Sequence, residues 1–174
     1  MQVVVVAAIA LIGAMVQWSM RHREPGAATA VDIFLVWWLA VAVGVGTALG
    51  AAAHLFDGPA TAEMIGYTRG NGGFQFENAM GDLSIGIAGL MCIRFRGDFW
   101  LAVIVVLSVQ FYGDGAGHIY YWLAEDNTKP GNIGPPLWLD FVIPTVAWGL
   151  YCASRRRNGD AVPPAGRWTS RRSG

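Results

Sequence analysis

The stretch VDIFLVWWLAVAVGVGTALGAAAHLF, residues 31–56, is apolar almost from end to end. An α-helix rises 1.5 Å per residue, so about 20 apolar residues cover the roughly 30 Å of bilayer hydrocarbon. The stretch therefore predicts a transmembrane helix. Four further blocks resemble it, at residues 1–20, 76–93, 99–123 and 137–153. The whole chain agrees: its 174 residues are 54% hydrophobic and 14% charged, well below the quarter or so expected of a soluble domain. The expected fold is all-α, a polytopic bundle of five membrane helices with Pro144 kinking the last, followed by a disordered basic tail over residues 154–174.

The first block has no basic residues before its apolar core, whereas Arg21 and Arg23 follow it. That order favours a retained span with its N-terminus outside over a cleaved signal peptide. Alternating through five spans puts ten of the twelve basic residues on the cytoplasmic side and leaves only Arg69 and Lys129 outside. Aromatic belts are expected from Tyr120, Tyr121, Trp122 and Trp138 at the outer boundary, and from Trp18, Trp100, Trp148 and Tyr151 at the inner one. Cys92 and Cys152 fall near cytoplasmic helix ends, where thiols stay free. They match no paired zinc spacing. A formal net charge of zero offers nothing to a nucleic-acid partner. The lipid bilayer is the expected surrounding, with location in a plasma membrane as a multi-pass protein.

Small residues recur at Ala42, Gly46 and Gly50, and again at Gly81, Gly86 and Gly89, a spacing that lets helix backbones approach closely. The partner helix belongs either to the same chain, to a second copy in a homo-oligomer, or to another subunit of a membrane complex. Segments 57–75 and 125–136 are rich in glycine and proline and predict connecting turns, with a lid over a neighbouring site as the alternative.

The residues that carry chemistry are ionisable groups within or beside the apolar blocks: His54, Glu77, Asp82, Asp114, His118 and Asp140. Charge inside a span costs a few kcal/mol or more unless it is paired or hydrated, which makes each a functional candidate. His54 and His118 lie roughly 30 to 35 Å along their helices, and Glu77 enters the third span at the same level. A second layer is expected below, with Asp114 about one turn under His118 and Asp82 about 7.5 Å under Glu77. Asn78 shares a helix face with Asp82. Two imidazoles and a carboxylate suit a divalent metal such as iron or zinc, so His54, Glu77 and His118 are the candidate ligands. Asp82, Asp114, Asp140 and Asn78 would then be supporting acceptors or a proton relay. The alternative is that these groups are hydrated at the headgroup level or satisfy one another.

These residues also fall into a pattern. His54, then Ile65-Gly66-Tyr67, then Phe74-Gln75-Phe76-Glu77 leads into a helix with Gly86 and Gly89. Gly117-His118-Ile119, Pro130-Gly131-Asn132-Ile133-Gly134-Pro135 and an Asp140 ahead of Pro144 complete it. Over more than half of the chain, the sequence resembles a family of small, uncharacterised bacterial integral membrane proteins. That family usually has Asn at the position of Asp82 and a small residue at that of Asp114. The resemblance implies a helical protein of the bacterial inner membrane and assigns no activity or cofactor. The expected function is binding of a divalent metal or small polar ligand near the outer face. The alternatives are an accessory or scaffolding subunit and a proton-coupled transporter or channel.

Overall fold

The computed structural model describes residues 2–24, 28–67 and 72–157, and among these every regular element is helical. Helix α1 (Gln2–Arg21) precedes a long rod made of α2 (Ala30–Trp37), a π-helical segment (Trp38–Val45) and α3 (Gly46–Phe56). Short α4 (Gly58–Ile65) leads to α5 (Gly72–Met91), and α6 (Asp98–Glu125) leads through the one-turn α7 (Pro130–Ile133) to α8 (Pro135–Arg157).

Four segments are long and apolar enough to cross a membrane: Val4–Arg21, Ala30–Phe56, Asp98–Glu125 and Pro130–Arg157. The fifth expected span, 76–93, falls on α5, which has the length but is not among the four. Gln75, Glu77, Asn78, Asp82 and Ser84 lie along its first two-thirds and dilute its hydropathy. α5 nonetheless packs along α3 and the π-helical segment.

Two other expectations shift. Residues 58–65 form a helix where turns were expected, because proline at its start fits the first helical turn and Gly66 stops it in the left-handed conformation at φ 90°. Helix α8 runs through Pro144 to Arg157, past the expected end of the span at Ala153. The tail beyond Arg157 lies outside the described residues.

The core is mainly apolar. Leu35, Leu39, Val43, Ile104, Leu107 and Ile143 are fully buried between the rod, α6 and α8. The outside is apolar too: Ile12, Val109 and Leu123 expose 56%, 74% and 72% of their surface. Apolar surface on that scale is what hydrocarbon-facing helices present. Of the expected aromatic belts, Trp18, Tyr120, Trp122 and Trp138 are exposed, whereas Trp100 and Tyr151 are buried core residues. Trp100 donates its indole N–H to the Cys92 carbonyl at 3.0 Å, closing the turn between α5 and α6.

Glycine contacts tie α5 to the rod through the expected Gly86 and Gly89, but the rod meets them with a residue outside the expected repeat. A Cβ on Gly89 would sit 2.7 Å from the Leu39 carbonyl oxygen and 2.8 Å from Gly44 Cα, and one on Gly86 would sit 3.0 Å from the Gly44 oxygen. Gly44 is therefore the rod's contact residue, in place of the Ala42–Gly46–Gly50 repeat. The wider π turn rotates the faces that a regular α-helix would have aligned. Gly50 instead faces the Asp82 carboxylate, and Gly81 has open space around it.

Hydrogen bonds fix the two ends of the bundle. At one end, Ser154 Oγ donates to Asp32 Oδ1 at 2.5 Å, joining the close of α8 to the start of α2, and Thr29 caps α2 by accepting from the Asp32 amide. The helix ends bearing Arg21, Arg94, Arg96 and Arg155 to Arg157 gather there. The opposite end gathers His54, α4, α7 and His118. Both cysteines are free.

Candidate functional site

His54, near the end of α3, places Nδ1 2.6 Å from Oε1 of Gln75 on α5. Gln75 is buried because α4 folds over it, with Gly58 so close that a Cβ there would meet the Gln75 side chain at 3.2 Å. An amide oxygen only accepts, so the proton sits on Nδ1 and Nε2 is left open.

His118 on α6 repeats the arrangement with a different partner. Its Nδ1 lies 2.8 Å from Oδ1 of Asn132, a fully buried residue of α7. Asn132 Nδ2 donates to the carbonyls of His118, at 3.1 Å, and Asn127, at 2.9 Å. Two donor bonds fix which end of the amide is nitrogen, so Oδ1 accepts and His118 Nδ1 carries hydrogen. α7 itself is pinned by close packing, since a Cβ on Gly131 would stand 2.7 Å from the Met64 carbonyl oxygen. Asn127 Nδ2 donates to the Ile65 carbonyl at 3.0 Å and holds the same layer to α4.

His118 Nε2 points at Asp140 Oδ2 of α8, 3.6 Å away, with side-chain exposures of 10% and 14%. That carboxylate oxygen is buried and has no hydrogen-bond partner among the described residues. A neutral imidazole with hydrogen on Nδ1 presents a lone pair at Nε2, and an ionised carboxylate presents another. Two acceptors facing each other in a buried place repel. One added proton resolves the conflict, either as an imidazolium–carboxylate pair or as a carboxylic acid facing imidazole.

The remaining acids join this pair. The charges of His54 and Asp114 act on Asp82, those of His118 and His54 act on Asp114, and those of Asp114 and Asp82 act on Asp140. Asp114 accepts a hydrogen bond from Gln110 Nε2, one turn below it, at 3.0 Å. Five of the six ionisable candidates therefore share one electrostatic neighbourhood. Glu77 does not join them; it is exposed on the outside of α5, and Asn78 is half-buried beside it. Among the described residues, no three His, Cys, Asp or Glu side chains come together in a way that could hold a metal ion. The expected triad of His54, Glu77 and His118 is thus not assembled, because Glu77 faces away.

Residues 1–160 match the model of a family described as a family of unknown function (DUF6790). The chain belongs to the DUF6790 family. No curated protein and no solved structure matches it. In this DUF6790 protein, the residues that position both imidazoles, Gln75 and Asn132, had no role assigned from sequence. They stand in the Phe-Gln-Phe-Glu and Pro-Gly-Asn motifs, so a buried amide within a polar motif was the available signal. Tyr67 is a third such residue. Its ring lies 5.0 Å from that of Tyr121, and burial, then Tyr121, Asp114 and Asp140, push its phenol above the usual value. It stays a neutral hydroxyl at the mouth of the cluster.

Proposed function

We propose that this DUF6790 protein is a five-helix integral membrane protein with its N-terminus outside, and that the His/Asp cluster at its outer end is a proton-controlled site accepting a small cationic ligand. Distribution of the arginines supports that orientation, and a plasma membrane is the location it implies. The observation that carries the reading is the His118–Asp140 contact: each imidazole Nδ1 is committed to an amide oxygen, and the buried Asp140 Oδ2 has no hydrogen-bond partner among the described residues. With one shared proton the pair is neutral overall, and losing it leaves a net negative site. Three carboxylates face only two imidazoles, and from residue 97 to residue 154 the only Lys or Arg is Lys129. That imbalance favours a cation.

A proton channel fits less well. Below the cluster lie Leu39, Val43, Ile104, Leu107 and Ile143, all but closed to solvent, and an apolar layer of this kind has no groups to pass a proton along. Nor do the described residues gather a metal-binding set, so the metal reading gains no support from the geometry.

Side-chain ¹⁵N NMR of His118 in lipid nanodiscs tests the proposal. The expected spectrum shows hydrogen on Nδ1 and a proton at Nε2 shared with Asp140. Asp140→Asn should change the Nε2 signal, because the carboxylate that shares its proton is gone. An Nε2 signal unchanged by Asp140→Asn would refute the shared proton.

A further inference from the structure

Helices α5 and α6 touch far less than α3 with α5 or α6 with α8, and a groove opens between them. Its volume is about 370 Å³, within the range of roughly 300–1,000 Å³ typical of small-molecule sites. The walls are apolar, from Ile85 and Ala88 on α5 and Phe99, Val103 and Val106 on α6. At the end nearer the His/Asp cluster, the lining turns polar with Ser84 and Gln110. Gln110 is the residue that donates to Asp114. Thus a single side chain joins the apolar groove to the carboxylate above it.

Among the described residues, Asp114 has no Lys or Arg beside it; the charges that act on it come from His118 and His54. It lies 16 residues into α6, about 24 Å from its start, inside a membrane-crossing helix, and yet it is exposed. Gly113 and Gly117 beside it, and Gly81 across the gap, have open space where side chains would stand. An exposed carboxylate at that depth costs several kcal/mol unless a cation meets it. Among the described residues, its hydrogen-bond donor is a neutral amide.

We infer that the α5–α6 groove binds a single-chain amphiphile with a protonated amine head, the alkyl chain lying against Ile85, Val103 and Val106 and the ammonium group on Asp114. The groove opens sideways between two helices, so such a molecule enters from the bilayer without crossing water. Apolar walls disfavour a charged tail, and among the described residues that line the groove there is no Lys or Arg to hold an acidic head. The inference rests on the cation-accepting reading above and names the class of ligand.

Tetradecylamine carrying a photoactivatable diazirine in its chain tests it, with tetradecanoic acid and tetradecanol bearing the same label as controls. The full chain is held in phosphatidylcholine nanodiscs, and crosslinked residues are mapped by mass spectrometry. Labelling by the amine is expected on α5 and α6 around Ala88 and Val106, at least about tenfold above either control, since a charge-assisted contact is worth that much. Asp114→Asn should lower amine labelling by roughly tenfold, and Ala102→Trp, which fills the groove, should abolish it. Equal labelling by the three probes, or indifference to both substitutions, would overturn the inference. So would a homodimer closed through α5 and α6 that excludes the amine. If labelling fails while Asp140→Asn still changes the His118 Nε2 signal, only the groove assignment is lost; if that signal is unchanged, the reading beneath it is lost as well.

Discussion

Replacing Asn132 by leucine is expected to destabilise the protein by roughly 2–4 kcal/mol, because two polar groups lose their partner at once and each orphaned polar group costs about 1–3 kcal/mol. The two are His118 Nδ1 and the Asn127 carbonyl, both satisfied by one side chain with no solvent exposure, whereas the His118 carbonyl keeps its place in the α6 hydrogen-bond ladder. Leucine shares the branching of asparagine but is larger, so the substitution leaves no cavity and overpacking adds to the loss. Asn132→Asp separates the two halves of the network. Its carboxylate still accepts from His118 Nδ1, but turns an acceptor toward two carbonyl oxygens, so the imidazole keeps its partner while the carbonyls lose a donor. Thermal unfolding in nanodiscs measures the first effect and the ¹⁵N spectrum of His118 the second. An unchanged midpoint for Asn132→Leu would mean that α7 is held by backbone packing at Gly131 alone.

The second large effect is at Gly89. Valine there must push α5 away from the π-helical segment, because its Cβ would meet the Leu39 carbonyl at 2.7 Å and the Gly44 amide nitrogen at 2.8 Å. Those are backbone atoms and cannot rotate aside. Overpacking typically costs about 1–3 kcal/mol where side chains yield, and backbone contact on two helices puts Gly89→Val at or above the upper end. Gly89→Ala should lie nearer the lower end. Gly81→Ala is the matched control on the same helix: nothing lies within 4 Å of its Cβ, and removing a mid-helix glycine should stabilise by about 0.5–1 kcal/mol. Opposite signs at positions 81 and 89, read by thermal or denaturant unfolding in the same lipid, are the expected result. Equal effects would show that α5 does not rest on Gly44 as described.

Separation of α5 from the rod would also disturb the site, since α5 brings Gln75 to His54 and Asp82 to Gly50. Gly89→Val should therefore alter the His54 environment from the far end of the helix. No local contact would carry that change. Rigid displacement of a 20-residue helix would.

Hydropathy alone marked the apolar rods, since a helix crossing hydrocarbon must be apolar over its length whatever it packs against. It was less informative for α5, where Glu77 and Asp82 dilute a helix that the rest of the bundle covers. The sequence also exposed the candidates His54, Asp82, Asp114, His118 and Asp140, because charge is rare and costly at such depths. What it could not reveal was direction. A difference of one residue turns a helical side chain by about 100°, so the depth shared by Glu77 and the two histidines did not mean a shared face. Glu77 faces out, and the partner of each imidazole is instead a buried amide from another element, Gln75 of α5 or Asn132 of α7. Those pairings span 21 and 14 residues and depend on how α4 and α7 fold over the bundle end, a matter of glycine contacts and caps. The sequence by itself thus determined that the chain carries helices long and apolar enough to cross a membrane, and which ionisable residues lie along them. Only the tertiary structure decided which of them meet, because helix rotation and the packing of short connecting helices are set by contacts between distant parts of the chain.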